Sequence, residues 1–392
     1  MNTKYQLVVI GSSNPLQDLI IDTFKNRVSD LGININSISI LIADNFHANY
    51  ITNSPTTCIY FGSKDNTHQN IDILETLISD SKLVLPVVDD LANFTKHTPT
   101  ILHPINGFKL KDKNNVEALV GRILEGLGLL RLSRRLFISY KRSESTGVAI
   151  QLFEKLEQSG FDVFLDTHTI LPGEIFQDEL WHRLVDADIV VLLNTPGFLE
   201  SKWTREELAK ASAKSIGILQ VIWPTHKPEN SSLLSIPVPL KVNDFENNHY
   251  NDLNGKLVDA VLINIVNQAE SLRARSLGAR QDNIISEFMR SAKSLNVVAF
   301  LQPEKFITVK NKAGDKIIII PTIGVPHAFT YHQSEDLIKA IKEDKTQKIF
   351  LLYDHINIRE KWLKHLAWLD EYLPVNSIKT VEIETWLKTL NQ

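Results

Sequence analysis

Cysteine is nearly absent from this sequence, since Cys58 is the only one among 392 residues. A single cysteine excludes an intramolecular disulfide and a zinc site built from several thiolates, and we expect no metal site. Because Cys58 lies in the apolar stretch CIYFG, the sequence predicts a buried, unreactive thiol rather than a nucleophile.

The sequence also lacks a strong excess of one charge and any long hydrophobic run. The formal net charge is -4, and 43% hydrophobic with 22% charged residues is an ordinary globular balance. This charge does not favour direct binding to nucleic acid or to an anionic membrane. No stretch reaches the length of a membrane span, and the apolar run in MNTKYQLVVIGSS is too short for a signal peptide. We therefore expect a cytoplasmic protein.

Glycine-rich phosphate-binding signatures are missing from the first segment, residues 1–130. The stretch GSSNP after the first strand lacks the glycine spacing of a P-loop or of a dinucleotide fingerprint. The strands YQLVVIG, TCIYFG and KLVLPVV alternate with helical patterns, which predicts a parallel sheet covered on both faces. We expect a Rossmann-like α/β domain here. Similar element order in the next segment leaves open whether this domain is a degenerate duplicate of its neighbour.

The second segment, residues 131–268, repeats the alternation more sharply. RLFISY, FDVFLD, DIVVLLN and SIGILQVIW read as strands, and the first helix ends at Gly160. The prolines and asparagine of PTHKPENSSLLSIPVPL indicate a surface connection before a final helix, YNDLNGKLVDAVLINIVNQ. This segment is predicted to be a second α/β domain.

The third segment, residues 280–392, is predicted to be an α+β domain. ITVKNKAGDKIIIIPT reads as a hairpin with Gly314 in its turn. The helix REKWLKHLAWLDEYL carries Trp362, Trp368 and Tyr372, which fit either the domain's own core or an interface. The preceding AESLRARSLGARQ is either a linker or part of one continuous helix.

Polar loops follow three strands of the second segment: SYKRSES, DTHTILPGEIF and NTPGFLESKW. Since the carboxyl ends of parallel strands meet at one edge of a sheet, these loops are expected to form a cleft. The stretch ESKWTREELAKA follows, and on a helix Trp203 and Glu207 lie one above the other. A tryptophan and a glutamate at this spacing are, by themselves, more often structural than catalytic.

Four successive stretches, LFISYKR, VFLDTHTILPGEIF, ADIVVLLNTPGFLESKW and WTREEL, resemble the boxes of a TIR domain of the bacterial type. The resemblance covers residues 135 to about 225 in order and spacing. It implies a flavodoxin-like parallel sheet with a loop after the second strand, here Thr167 to Phe176. Many members cleave the bond between nicotinamide and ribose in NAD+, some make cyclic ADP-ribose isomers, and others only assemble signalling complexes.

The resemblance also assigns roles to particular residues. It implies that Glu207, not Glu206, is the catalytic carboxylate and that Trp203 is a wall for a flat ring. It further implies that the substrate lies beside the first strand and the loop after it, at Phe137, Ser139, Tyr140 and Arg142. Three more substrate-binding positions are implied in a loop that gates the site: Pro172, Gly173 and Phe176. We expect His168 to be a polar loop residue and His182 to lie on a helix surface.

Elementary chemistry agrees with a single catalytic carboxylate. Cleavage of the glycosidic bond builds positive charge on the ribose, which a nearby carboxylate stabilises in a dry site. The departing pyridinium becomes neutral nicotinamide and needs no general acid. An aromatic neighbour offers a stacking surface to a flat ring.

The leading prediction is an NAD+ glycohydrolase, of the NAD+ hydrolase or ADP-ribosyl cyclase type, with NAD+ as substrate and no cofactor. The resemblance implies activation by self-association through the TIR domain and its flanking domains, and a role in bacterial antiphage defence. A regulatory partner or a nucleotide signal is a further expectation. The alternative is a non-enzymatic TIR scaffold that mediates protein–protein signalling.

Overall fold

The computed structural model describes residues 5–52, 54–165, 176–198, 209, 211, 214–227, 234–302, 305–341 and 348–390, with backbone alone at 176–178 and 336–341. The chain divides into two compact units. The first comprises Met1–Ser133 with Val266–Ala274, and the second comprises Arg134–Ile265 with Arg275–Gln392.

The first unit is built on a five-stranded sheet of order β2-β1-β3-β4-β5 in which every neighbouring pair is parallel. Its elements in chain order are β1 (Tyr5–Gly11), α1 (Gln17–Asp30), β2 (Ile38–Ile42), α2 (Ala43–Asn49), β3 (Thr56–Phe61), α3 (Ile71–Ser79), β4 (Leu83–Val88), α4 (Phe94–His97), β5 (Phe108–Lys109) and α5 (Val116–Gly126). Cys58 lies in the core with no exposed surface, and burial raises the pKa of its thiol. The prediction of a buried thiol is confirmed.

The second unit begins with another five-stranded parallel sheet, of order β10-β9-β8-β6-β7. Its elements are β6 (Arg135–Ser139), α6 (Arg142–Gln158), β7 (Asp162–Leu165), α7 (Phe176–Asp186), β8 (Ile189–Asn194), β9 (Gly217–Ile222) and β10 (Ser235–Pro239). The chain adds β7 on one side of β6 and β8 on the other, as in a flavodoxin-like fold. The first sheet has the same strand order.

The strand β10 corrects the prediction of a surface connection in this stretch. It pairs in parallel with β9, so that Pro237 lies opposite Gln220 and Pro239 opposite Ile222. Proline lacks an N–H to donate, and it is tolerated in a strand whose outer side has no partner. Because β10 is the last strand of its sheet, its prolines are compatible with pairing on one side only.

A single 36-residue helix, α8 (Asp259–Ser294), follows. The Arg-rich stretch left open by the sequence is therefore part of one continuous helix, and the expected domain limits at residues 268 and 280 both fall inside it. Two of its side chains hold the second sheet. Ser276 Oγ accepts from the Gly217 N–H (2.9 Å) and donates to the Asp188 carbonyl (2.6 Å). Arg280 donates to the carbonyls of Val185 and Ala187 (both 2.7 Å), at the C-terminal end of α7.

The remaining elements of the second unit form a mixed sheet of order β11-β12-β13-β14-β15. They are β11 (Ala299–Leu301), β12 (Ile307–Lys310), β13 (Lys316–Thr322), α9 (Ala328–Ile341), β14 (Lys348–Tyr353), α10 (Glu360–Tyr372), β15 (Val375–Lys379) and α11 (Ile383–Leu390). The predicted hairpin is confirmed: β12 and β13 are antiparallel, and Gly314 in their turn has φ +83°, which glycine adopts without strain.

Helix α7 packs into two hydrophobic cores. Leu180, Trp181 and Leu184 belong to the core of the second sheet. Val185 belongs instead to the core that covers one face of the third sheet. This helix is consequently shared between the two layers of the second unit.

Candidate active site

The carboxyl ends of β6 and β8 mark the point where the strand order of the second sheet reverses. The two strands pair in parallel, with Ser139 opposite Leu192. Ligands of doubly wound sheets bind in the crevice outside the strands at such a point. The loops that begin after Ser139 and after Asn194 therefore border the candidate site.

The structure places the four predicted residues of the first strand and loop at different depths. Phe137 has no exposed surface and stacks on Phe164 in the core, with ring centroids 5.3 Å apart. Ser139 and Tyr140 are buried at the strand end, and Arg142 is exposed at the start of α6. Ser139, Tyr140 and Arg142 thus lie at the edge of the crevice, whereas Phe137 packs in the core beneath it.

The other predicted site residues lie at or beyond the limits of the described chain. Trp203, Glu207, Pro172 and Gly173 lie outside the described residues, as does His168, and only the backbone of Phe176 is described, as the first residue of α7. Their roles stay predictions from the sequence.

Glu144, in the first turn of α6, links the loop before this helix to the loop after β8, and the sequence did not predict this contact. Lys141 Nζ lies 2.6 Å from Glu144 Oε1, and the Gly197 N–H donates to Glu144 Oε2 at 3.0 Å. Burial of the Glu144 carboxyl raises its pKa, but the hydrogen bonds that it accepts, above all the one from Lys141, together with the charge of Lys141, outweigh this and hold the pKa below its usual value. The signal in the sequence is the spacing of three between Lys141 and Glu144.

Gly197→Ala should break this link. A Cβ at position 197 would lie well inside van der Waals contact with Lys141 Nζ and with the Glu144 carboxylate. Losing a charge-assisted hydrogen bond in a partly buried pair should lower the free energy of unfolding by about 1–2 kcal/mol, measured by urea denaturation. This loss of stability should be present at neutral pH. It should vanish as the pH falls through the pKa of Glu144, because a carboxyl with a lowered pKa stabilises the fold only while it is ionised.

Glu144→Gln is the matched control, since it keeps the shape of the side chain and removes its charge. It should cost about as much as Gly197→Ala at neutral pH. Wild-type stability in both variants would show that the link contributes nothing.

A buried amide lies at the end of the central strand. Asn194 is fully buried, and its Nδ2 donates to the Lys227 carbonyl at 3.1 Å. Its Oδ1 has no hydrogen-bond partner among the described residues. Buried acceptors are normally satisfied by water or by a bound group.

Metal-binding clusters and membrane-spanning helices are both absent from the described residues. Within the described ranges, no three side chains of His, Cys, Asp and Glu are grouped so that they could hold a metal ion. Across the same residues, no helix combines the length and the apolar character needed to cross a bilayer.

The family model described as TIR domain matches residues 136–257, which include the switch point and all five strands of the second sheet apart from Arg135. Residues 136–257 form a TIR domain. The TIR domain therefore contributes both loops of the candidate crevice, together with the hydrogen bond from Gly197 to Glu144 that joins them.

One protein similar to the TIR domain is the 2′ cyclic ADP-D-ribose synthase BtTIR of Bacteroides thetaiotaomicron, which is 26% identical over 99 residues. The match covers 25% of this chain and 34% of that protein, so the chain spans about a third of the relative's length. A solved structure, tagatose-6-phosphate ketose/aldose isomerase from Escherichia coli, aligns with 70% of this chain and 82% of that chain. At 11% identity and a TM-score of 0.21, this likeness carries no argument.

Proposed function

We propose that the TIR domain cleaves the bond between nicotinamide and ribose in NAD+. The observation that carries the proposal is the TIR domain at residues 136–257 together with its similarity to a 2′ cyclic ADP-D-ribose synthase. The strand order supports it, because the switch point between β6 and β8 provides a crevice where a dinucleotide can bind.

In the proposed reaction, the carbon–nitrogen bond breaks and its electron pair goes to the ring nitrogen, so that neutral nicotinamide leaves. The ribose carbon then carries positive charge, which the Glu207 carboxylate stabilises. Attack by water gives ADP-ribose and a proton. Attack by a hydroxyl of the same ADP-ribosyl group gives a cyclic product with release of the same proton.

The described residues supply part of the frame of this site. Glu144 ties the loop after β6 to the loop after β8 through Lys141 and Gly197, which holds the two loops at a fixed separation. Ser139 and Asn194 end the two strands beneath them. Such a preformed frame reduces the ordering that substrate binding requires.

Regulation and biological role follow from the same proposal. We propose that self-association raises the activity and that the protein acts in bacterial antiphage defence by depleting NAD+. The third sheet and its aromatic helix α10, in which Trp368 and Tyr372 are exposed, are candidates for the self-association surface.

The proposal is tested by expressing the full chain in a bacterium and measuring the NAD+ and nicotinamide of the cells by mass spectrometry. Cells that express the protein at high level should lose NAD+ and gain nicotinamide, whereas a Glu207→Ala control should retain its NAD+. Unchanged NAD+ in both cultures at equal protein level would favour the scaffold function instead.

Gly173→Val should reduce NAD+ cleavage without unfolding the protein. In the sequence LPG, glycine permits backbone angles that a β-branched residue cannot adopt. We expect about a tenfold or larger fall in kcat/KM, since misplacing a substrate-positioning loop by about 1 Å has large effects on rate. Steady-state kinetics with a thermal melt of each variant give the result. Wild-type kinetics in Gly173→Val would mean that this loop does not gate the site.

A further inference from the structure

A cavity of about 500 Å³ lies within the second unit, between α7 of the TIR domain and the third sheet. One wall comes from the TIR domain and from the residue that begins β6, and the other from the loop before α9 and the start of α10. The lining residues are Arg135, Glu179, His182, Arg183, Asp186, Val325, Pro326, His327, Lys361 and Trp362. Its volume lies within the range of about 300–1,000 Å³ of small-molecule sites.

The TIR wall of the cavity is a polar stripe on α7. Glu179, His182, Arg183 and Asp186 recur at the spacing of one helical face. Glu179, His182 and Asp186 are each less than 10% exposed, although charged residues are rarely buried unless they are paired. The expectation that His182 lies on a helix surface was wrong, because Trp362 of α10 stacks on its ring with centroids 5.6 Å apart.

Protein donors already occupy the carboxylates of this wall. Glu179 accepts from Arg183 Nε at 2.8 Å and from Arg359. Asp186 accepts from the Val325 N–H at 2.9 Å and from Arg135. With every oxygen of both carboxylates engaged, this wall offers little to a cation.

Donors, in contrast, remain in excess. Arg183 uses only Nε for Glu179, and its Nη atoms have no acceptor among the described residues, while its guanidinium lies over the ring of Phe164. Arg135 uses Nη1 for Asp186, and its Nε lies 3.7 Å from Asp162 Oδ2; neither contact uses Nη2. A guanidinium with spare donors matches the oxygens of a phosphate or carboxylate.

The rest of the cavity is lined by Lys361 and by aromatic or apolar side chains. Trp362 is half-buried and lines the cavity beside Pro326 and His327. Its indole already stacks on His182 and meets His365 edge-on, with centroids 5.6 and 5.7 Å apart, so a ligand ring would pack on the part of the indole that faces the cavity. Burial lowers the pKa of His182 to about 4, so that its ring is neutral at physiological pH, and its Nδ1 has no hydrogen-bond partner among the described residues. A ligand that fits this wall carries a ring as well as an anionic group.

We propose that this cavity binds a phosphorylated small molecule of the nucleoside monophosphate class, with its phosphate against Arg183 and Arg135 and its ring against Trp362. The site is separate from the crevice at the switch point, and the proposal does not depend on NAD+ cleavage.

Isothermal titration of the full chain with the four ribonucleoside 5′-monophosphates, each compared with its nucleoside and with inorganic phosphate, tests this proposal. At least one monophosphate should bind saturably, and about tenfold more tightly than its nucleoside or phosphate alone. Arg183→Gln should weaken that binding by about tenfold or more, and Trp362→Leu should do the same. The Arg183 side chain is 46% exposed, so Arg183→Gln is expected to fold normally, which a thermal melt verifies.

Arg142→Gln, at the crevice edge, is the control that locates the ligand, and its monophosphate affinity should match the wild type. Loss of binding in Arg142→Gln with full binding in Arg183→Gln would place the nucleotide at the switch point and overturn the proposal. Failure of all four monophosphates to bind at millimolar concentration would overturn it as well. Either result leaves the proposed NAD+ cleavage untouched, since that is measured by nicotinamide release.

Discussion

Glu207→Ala should abolish NAD+ cleavage while the protein keeps its fold. Removing a group that stabilises charge only in the transition state costs about a hundredfold or more in kcat. A carboxylate that serves chemistry rather than packing contributes little to stability, so the melting temperature should stay close to that of the wild type. Steady-state kinetics and a thermal melt of the purified variant measure both effects.

Glu206→Ala is the matched control, since Glu206 and Glu207 are neighbours in the sequence and are predicted to face different sides of a helix. Its rate should stay within a few-fold of the wild type. The reverse pattern, with Glu206→Ala inactive and Glu207→Ala active, would show that the assignment is displaced by one residue.

Arg273→Met should destabilise the first unit strongly. The side chains of Arg273 and Glu125 are both almost completely buried, and Arg273 Nη1 lies 2.5 Å from Glu125 Oε1. Arg273 Nη2 also donates to the Arg131 carbonyl at 2.5 Å. Methionine removes the guanidinium and leaves the Glu125 carboxylate without its buried partner. Breaking a buried pair in this way typically costs about 3–5 kcal/mol.

The first unit contains none of the six tryptophans, so tryptophan fluorescence does not report on its unfolding. Hydrogen exchange measures the effect within this unit instead. The free energy of opening for amides of β1 and β3 should fall by about 3–5 kcal/mol in Arg273→Met. Arg122→Ala is the control, because Arg122 pairs with the same Glu125 at 3.0 Å but is 37% exposed, and it should cost less than about 1 kcal/mol. Equal protection in both variants would contradict a dominant role for Arg273.

Local patterns were sufficient to predict the strands that are buried on both faces. Runs such as DIVVLLN and TCIYFG correspond to β8 and β3, in which every residue is buried. The hairpin around Gly314 was also predictable, because its turn requires a residue that tolerates positive φ. These features depend on neighbouring residues alone.

Features that depend on distant partners were not predictable. The strand β10 contains two prolines, and only its position at a sheet edge makes it a strand. The sequence around His182 predicts a surface residue, but in the structure Trp362, which lies 180 residues further along the chain, packs on its ring. The continuous helix α8 is Arg-rich, and Arg273 and Arg280 are buried because carbonyls and a carboxylate elsewhere accept from them.

The candidate site was predicted in part. The convergence of polar loops at one sheet edge followed from the order of strands and helices, and the structure places Ser139, Tyr140 and Arg142 there. The link between Glu144 and Gly197 was missed, because it joins two loops that are 53 residues apart in the chain. The spacing of three between Lys141 and Glu144 is compatible with a local pair but carries no sign of the contact with the second loop.

The most direct test of the central claim is the release of nicotinamide from NAD+ by the purified full-length protein. The reaction is followed by liquid chromatography and mass spectrometry, at high protein concentration and with a crowding agent to promote self-association. We expect one nicotinamide for each NAD+ consumed, with ADP-ribose or a cyclic isomer as the second product, and none with Glu207→Ala. Intact NAD+ in the wild-type reaction, or equal release by Glu207→Ala, would contradict the claim that this TIR domain is an NAD+-cleaving enzyme acting through Glu207.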